Sequence, residues 1–372
     1  MPLSDALQLQ PADSGRFKFQ RDEGFHRELK RRVQAYFEQR GISQKANLAM
    51  FVKTAVLLTW FTVSYLALLL ADATVWQRGL LAISLALAIA GIAFSVQHDA
   101  NHGAYSKSKV VNRALGLTLD MLGGSSYIWR IKHNIAHHTY TGIAGGDSDI
   151  EVPFGRLVAA QPLSPYFRYQ HLYLWALYGF FVANWQFYQD FHQLREARIA
   201  GNSFPRPRGA DLGFLVAGKV AFFSGALVVP MFFHPWWGVL ALYALTSVLL
   251  SLVLILVFQL AHSVEEAELP QLAPGEKAVP RSWAIHQVES AADFSRGNKL
   301  LSWYVGGLNF QIEHHLFPGI CHVHYPQISA IVEQTCGEFG VRYSTNERFS
   351  DALASHLRWV RRLGNAESSL SA

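Results

Sequence analysis

A chain of 372 residues is long enough for two or more soluble domains. Its composition points elsewhere: 51% of residues are apolar, 13% aromatic and only 16% charged, the balance of a membrane protein with a polar cap. The formal net charge of +5 is not gathered around base-stacking aromatic motifs, which argues against nucleic acid as a partner and leaves anionic lipid headgroups or an acidic redox protein.

Residues 1–14 are polar and expected to be disordered. They lack the charged start and apolar core of a secretory signal, so the amino terminus is expected to stay in the cytosol. From Arg16 to Gln39 the apolar residues Phe25, Leu29, Val33 and Phe37 recur every four positions on a charged background. This predicts an amphipathic helix that lies on the membrane or packs on the cap, within a cytosolic amino-terminal segment of residues 1–45.

Two apolar runs follow, Thr54–Leu70 and Gly79–Val96, joined by the short connection ADATVWQR. The second is roughly 27 Å long as a helix, enough to cross the hydrocarbon core. Together they form a hairpin that returns to the side it left. His98 and His102 therefore emerge beside the basic amino terminus, on the side that the Lys/Arg bias assigns to the cytosol.

Ala114–Trp129 is also apolar, but Asp120 and Gly123-Gly124-Ser125-Ser126 interrupt it. A full crossing there would put His98 and His133 on opposite faces of the bilayer, so the stretch reads as re-entrant or interfacial. Leu172–Phe187, with Trp175, Tyr178, Trp185 and the following Tyr188, has the character of an aromatic belt in the headgroup region. Leu212–Phe233 and Trp237–Leu260, joined by HPWW, form a second hairpin, with Lys219 snorkelling towards the cytosolic end. Residues 46–262 are thus a membrane domain with two hairpins and an interfacial insert. Four spans place every histidine group on one face, which three or five would not.

Residues 263–372 form the rest of the cap. A polar, proline-rich stretch, Glu265–Gly297, leads to Gly306–Pro318 and then to amphipathic patterns over Ile328–Gly340 and Phe349–Arg362. The only cysteines, Cys321 and Cys336, have the spacing of neither a zinc ribbon nor an iron–sulfur site and are expected to be free thiols.

Three stretches carry imidazoles at helical spacing: HDANH at 98–102, HNIAHH at 133–138 and QIEHH at 311–315. Residues three or four apart share one helix face. One such pair is as often ordinary as metal-binding, but three, each beside an apolar segment, point to a metal. Many nitrogen donors without thiolates favour iron, zinc, copper or nickel over magnesium or calcium.

In this order and with these long apolar separations, the three boxes resemble those of the membrane fatty acyl desaturases, over roughly Phe17 to Tyr343. The flanking HGAYSKSKVVNRALG, GGSSYIWRIKHN and GGLNFQIEHHLFPGICHVHYP are similar to the front-end subgroup that includes the linoleoyl-CoA (delta-6) type. The resemblance implies an all-α integral membrane protein of four transmembrane helices in two hairpins, with a cytosolic helical cap holding a histidine-rich di-metal site. It also implies an enzyme that uses O2 and two iron ions to place a cis double bond in an acyl-CoA or acyl-lipid chain, with delta-6-like regioselectivity as the first expectation. Unactivated methylenes yield two hydrogens only to oxygen activated on a metal, with electrons supplied from outside. The chain shows neither a His-Pro-Gly-Gly haem sequence nor a dinucleotide fingerprint, so a separate carrier, a ferredoxin or a small cytochrome, is expected to deliver them. The expected location is multi-pass in a bacterial inner membrane, with the site on the cytosolic face.

The implied ligands are His98, His102, His133, His137, His138, His314 and His315, with His262 as an eighth imidazole at the end of the fourth span; the other reading of His262 is a plain helix-end residue. Gln311 stands where related enzymes have a histidine, and it binds metal through its carbonyl oxygen, through water, or not at all. Asp99, Glu313, Asp147 and Asp149 are expected to orient imidazoles through the other ring nitrogen, or else to cap helices or pair with basic neighbours. Lys107, Lys109, Arg113, Arg130 and Lys132 would hold a coenzyme A phosphate or a lipid headgroup, or simply mark the cytosolic side. Histidines outside the boxes, His286 and His322 among them, are expected to be structural. A di-iron lipid hydroxylase of the same architecture is the alternative. A metal transporter fits less well, because transporters place their ligands near the bilayer midplane.

Overall fold

In the computed structural model, residues 17–365 are described apart from 151, 153 and 274; the polar stretch expected to be disordered lies outside them. Helix α1 (Phe25–Arg40) precedes the first hairpin, α2 (Leu48–Leu70) and α3 (Val75–Asn101). Each of these spans starts where the local chemistry dictates. The Asn47 side chain accepts from Met50 N, and Thr74 and Gln77 form a reciprocal capping box, satisfying amides that the helix leaves unpaired. The short helix α4 (Gln170–Gly179) lies between the hairpins, and the second hairpin is α5 (Ala210–Met231) and α6 (Trp236–His262). Among the described residues these four spans are the helices long and apolar enough to cross a membrane. The protein is an all-α integral membrane protein with four such helices, as expected.

Small residues let the two central spans approach. Ala86, Ala90 and Phe94 of α3 share a core with Leu250, Leu254, Val257, Leu260 and Ala261 of α6. On the other side of α3, Leu57 packs on Ile92 and Val96, and a Cβ at Gly91 would lie 2.6 Å from the Leu57 side chain. Phe51, Val63, Leu66, Val216 and Val220 face outwards, where lipid covers them.

Neither insert crosses. The first is cut into the short helices Lys109–Gly116, Thr118–Met121 and Ser126–Trp129, with the break at Gly123, whose φ is +92°. Helix α4 packs Leu174 and Tyr178 against Ile255 of α6, while Leu172, Phe180 and Phe187 remain exposed.

Lys219 does not snorkel. Its ammonium lies 2.7 Å from Asp190 Oδ2 and donates to the Gly123 carbonyl at 2.6 Å, with both charged side chains at most 7% exposed. Trp185 Nε1 donates to the other Asp190 oxygen at 2.9 Å, so the pair ties the third span to both inserts. Removing one partner strands a buried charge, so Asp190→Leu should cost about 3–5 kcal/mol. The double variant Lys219→Met/Asp190→Leu should recover most of that loss. Thermal unfolding in detergent measures both, and equal destabilisation of the single and double variants would contradict the pairing.

The cap follows: α7 (Trp283–Glu289), α8 (Gln311–Leu316), α9 (Tyr325–Phe339) and α10 (Phe349–Gly364). The periodic face of α1, Phe25, Leu29, Val33 and Phe37, is buried with Ala284 and Val288 of α7 and Ile328, Val332 and Cys336 of α9. Of its two expected positions, α1 therefore takes the one on the cap. Two parallel pairings stitch the cap together, Lys18–Gln20 with Ala278–Ser282 and Asp293–Phe294 with Thr345–Asn346. Both cysteines are buried and form no disulfide.

Candidate metal centre

The end of α3 widens into a π-helical turn, Ala93–Gln97, immediately before His98. A second π-helical stretch, Arg130–His137, carries the middle box. In a π-helix the turn closes five residues on, so His133 and His138 meet, their Nε2 atoms 3.2 Å apart. Helix α8 supplies Gln311, His314 and His315, and α6 delivers His262 at its last residue.

The imidazoles converge in two groups. His98, His102, His133 and His314 form one and His137, His262 and His315 the other, with the ligand nitrogens of each group within 4.8 Å of one another. His138 lies between them, its ring centroid 4.6 Å from that of His314 and 4.5 Å from that of His315. The Gln311 amide sits in the second group, Nε2 being 2.9 Å from His262 Nε2 and 3.2 Å from His315 Nε2. A half-turn of the amide puts its carbonyl oxygen in the same place.

The donor set fits a metal. His98 Nε2, His102 Nε2, His314 Nε2 and His138 Nδ1 are buried and find no hydrogen-bond partner among the described residues. Each such orphan is worth about 1–3 kcal/mol of lost solvation, and those of His98, His102 and His314, which share one group of ligand atoms, make sense when a cation takes their lone pairs. Burial, reinforced by neighbouring imidazoles, pushes His102, His133, His138, His314 and His315 well below the ordinary histidine range. They are neutral donors, and with no thiolate among them they suit a borderline transition metal.

The outward ring nitrogens are held by other groups. His137 Nδ1 lies 2.9 Å from Asp147 Oδ2, which also accepts from Gly142 N at 2.9 Å. Burial alone would raise Asp147, but His137 and the Gly142 and Asp149 amides outweigh it and hold the carboxyl at about 2. His315 Nδ1 meets Gln287 Oε1 at 2.7 Å, His262 Nδ1 the Ser290 carbonyl at 3.2 Å, and His314 Nδ1 the Tyr325 hydroxyl at 3.3 Å.

The four carboxylates expected to orient imidazoles divide. Asp147 meets His137 directly. Asp149 is 3.7 Å from the same ring nitrogen, but its closer contact is Lys132 at 2.7 Å. Asp99 turns instead to His322, accepting from its Nδ1 at 2.8 Å and its backbone N at 3.2 Å, while Lys53 Nζ sits 2.9 Å from His322 Nε2. Glu313 faces the Tyr343 hydroxyl at 3.1 Å, beside Asp293. Burial, and then Asp293, push Glu313 well above the usual carboxylate range. These two hydrogen-bond away from the box imidazoles because other polar groups of the cap reach them first.

The basic residues also divide. Arg113 and Arg130 lie 2.5 and 3.9 Å from Asp211 at the start of α5, and Lys132 is taken by Asp149. Lys107 and Lys109 remain on the exposed surface. His286 donates to the Thr141 carbonyl at 2.9 Å. Reading the sequence missed Gln287, Tyr325, Ser290 and Trp129, whose ring stacks on His133 at 4.3 Å. None belongs to a box; Trp129 stands four residues before His133, while Gln287, Ser290 and Tyr325 reach the boxes only through the fold.

Comparison with known proteins agrees with this architecture. The family model for fatty acid desaturases matches residues 74–347. The sn-1 linoleoyl-lipid 6-desaturase of Arthrospira platensis is 37% identical over 345 residues, 91% of this chain and 92% of that one. The protein of the same name from Synechocystis sp. is 37% identical over 357 residues, 94% of this chain and 98% of that one. An acyl-lipid (8-3)-desaturase of Physcomitrium patens is 33% identical over 351 residues, 93% of this chain and 73% of that one. With four apolar helices, three histidine boxes gathered at one end of them and a family match over most of its length, the chain belongs to the fatty acid desaturase family.

Proposed function

We propose that this desaturase acts on membrane acyl lipids, placing a cis double bond at position 6 of a linoleoyl chain; its cyanobacterial relatives are named sn-1 linoleoyl-lipid 6-desaturases. The observation that carries the reading is the convergence of eight buried or half-buried imidazoles, seven in two groups with His138 between them. Two iron ions would be held there, one by His98, His102, His133 and His314, the other by His137, His262, His315 and the Gln311 amide, with His138 between. Bound iron supplies the activation of O2 that no side chain can. In the overall balance the acyl chain gives up two hydrogens, two electrons and two protons come from outside, and O2 leaves as two waters. The protein's own part is to present neutral nitrogens, to fix the ring orientations through Asp147, Gln287, Ser290 and Tyr325, and to exclude water. Gly306, at φ +64°, lets the loop before the third box lie directly on the Phe94 carbonyl, where a Cβ would clash.

Lys/Arg bias supports placing the site on the cytosolic face of a bacterial inner membrane. Lys107 and Lys109 are positioned there for an anionic headgroup, and a ferredoxin or small cytochrome would bring the electrons. Lipid profiling of a host expressing the chain, with double-bond localisation by mass spectrometry, tests the proposal. A new unsaturation at position 6 in intact lipids is expected. Hydroxylated acyl chains would instead support the hydroxylase alternative, and new unsaturation confined to acyl-CoA would refute the lipid substrate.

A further inference from the structure

We infer that Gln287 is a positioning residue for the second iron, setting both the orientation and the donor strength of His315; this rests on the two-iron reading above. Gln287 is fully buried. Its Oε1 lies 2.7 Å from His315 Nδ1 and 2.9 Å from Thr141 Oγ1, and that hydroxyl is 2.7 Å from the His137 carbonyl. The same short helix makes two more such contacts: His286 donates to the Thr141 carbonyl, and Trp283 Nε1 to the His138 carbonyl at 3.1 Å. Helix α7 thus joins the middle box to the third.

The Gln287 oxygen can only accept, so His315 must carry its proton on Nδ1 and present the Nε2 lone pair towards His262 and His138. The corresponding partner of His137 is a carboxylate, Asp147. A carboxylate draws the shared proton more strongly and makes its imidazole the better donor. A neutral amide behind His315 therefore leaves the second iron less electron-rich than a second carboxylate would. The Gln287 Nε2 has no hydrogen-bond partner among the described residues, so the side chain is used through its oxygen, and Glu would keep that contact at the same size.

The test uses full-length purified protein loaded with iron, titrated with a competing chelator and then reductively. Gln287→Leu should release one of the two irons at a chelator concentration about 10- to 100-fold lower than wild type, while helix content stays close to wild type and the melting temperature falls only modestly. Gln287→Glu should resist the chelator at least as well as wild type, with the midpoint potential of one iron moved lower. A Gln287→Leu protein with wild-type chelator resistance, or a Gln287→Glu protein with unchanged potentials, overturns the inference. If Gln287→Leu fails to fold, the Gln287→Glu potential decides alone. Wild-type protein binding fewer than two irons would count against the two-iron reading itself, which separates the two failures.

Discussion

His315→Ala should yield a folded, membrane-inserted protein that forms no detectable double bonds. His315 is fully buried, its Nε2 is 3.2 Å from that of His262, and its ring lies against His137 and His138. Without it the second group keeps only His137, His262 and the Gln311 amide, too few donors to hold a metal in a defined geometry. Helix α8 does not depend on this imidazole for its backbone bonds, and the cap core is built by Phe310, Ile312 and Leu316 around it. Truncation leaves the Gln287 oxygen short of its His315 donor, a cost of about 1–3 kcal/mol. Lipid extracts should be indistinguishable from the empty host while the melting temperature falls only modestly. Residual product above background would remove His315 from the centre.

Gln311→Ala should lose most turnover, whereas Gln311→His should keep its metal. The amide is only 2% exposed and points at His262 and His315, which excludes a residue facing solvent. An amide oxygen is a weaker donor than imidazole, so as a ligand it would leave one metal with a more open or more weakly filled coordination site. Alanine takes that donor away. Histidine restores a nitrogen but closes the site, so some activity is expected to go even as metal stays. Product formation and metal content measured side by side decide the matter, since a surface substitution would cost no more than about 0.5 kcal/mol and leave both untouched. Near-wild-type turnover in Gln311→Ala is the outcome that would defeat this assignment.

The parts of the fold visible in the sequence were those written locally. The four spans announce themselves by long apolar runs, the third interrupted by Lys219, and three histidine groups plus the demand for a shared face required an even number of crossings. His262 could be singled out because it ends a span beside the boxes. The π-helical turns were not legible: HNIAHH reads at i, i+4 spacing, yet the structure closes His133 on His138 at i, i+5. Long-range polar partners were equally hidden. Lys219 looked like a snorkelling lysine because its acid, Asp190, lies in a different insert. Asp99 looked like a partner for its own box because nothing local reveals that His322 would arrive from beyond the third one. Gln287 carries no motif, and Tyr325, although it lies in the stretch that follows the third box, shows no local link to His314; the packing of α7 and α9 onto the boxes gives them a role.

Iron counted per polypeptide in purified, catalytically active protein is the most direct measurement. Two groups of nitrogen donors, each with its ligand atoms within 4.8 Å, predict close to two iron ions per chain. Active protein that carries one or none would contradict a centre built from both.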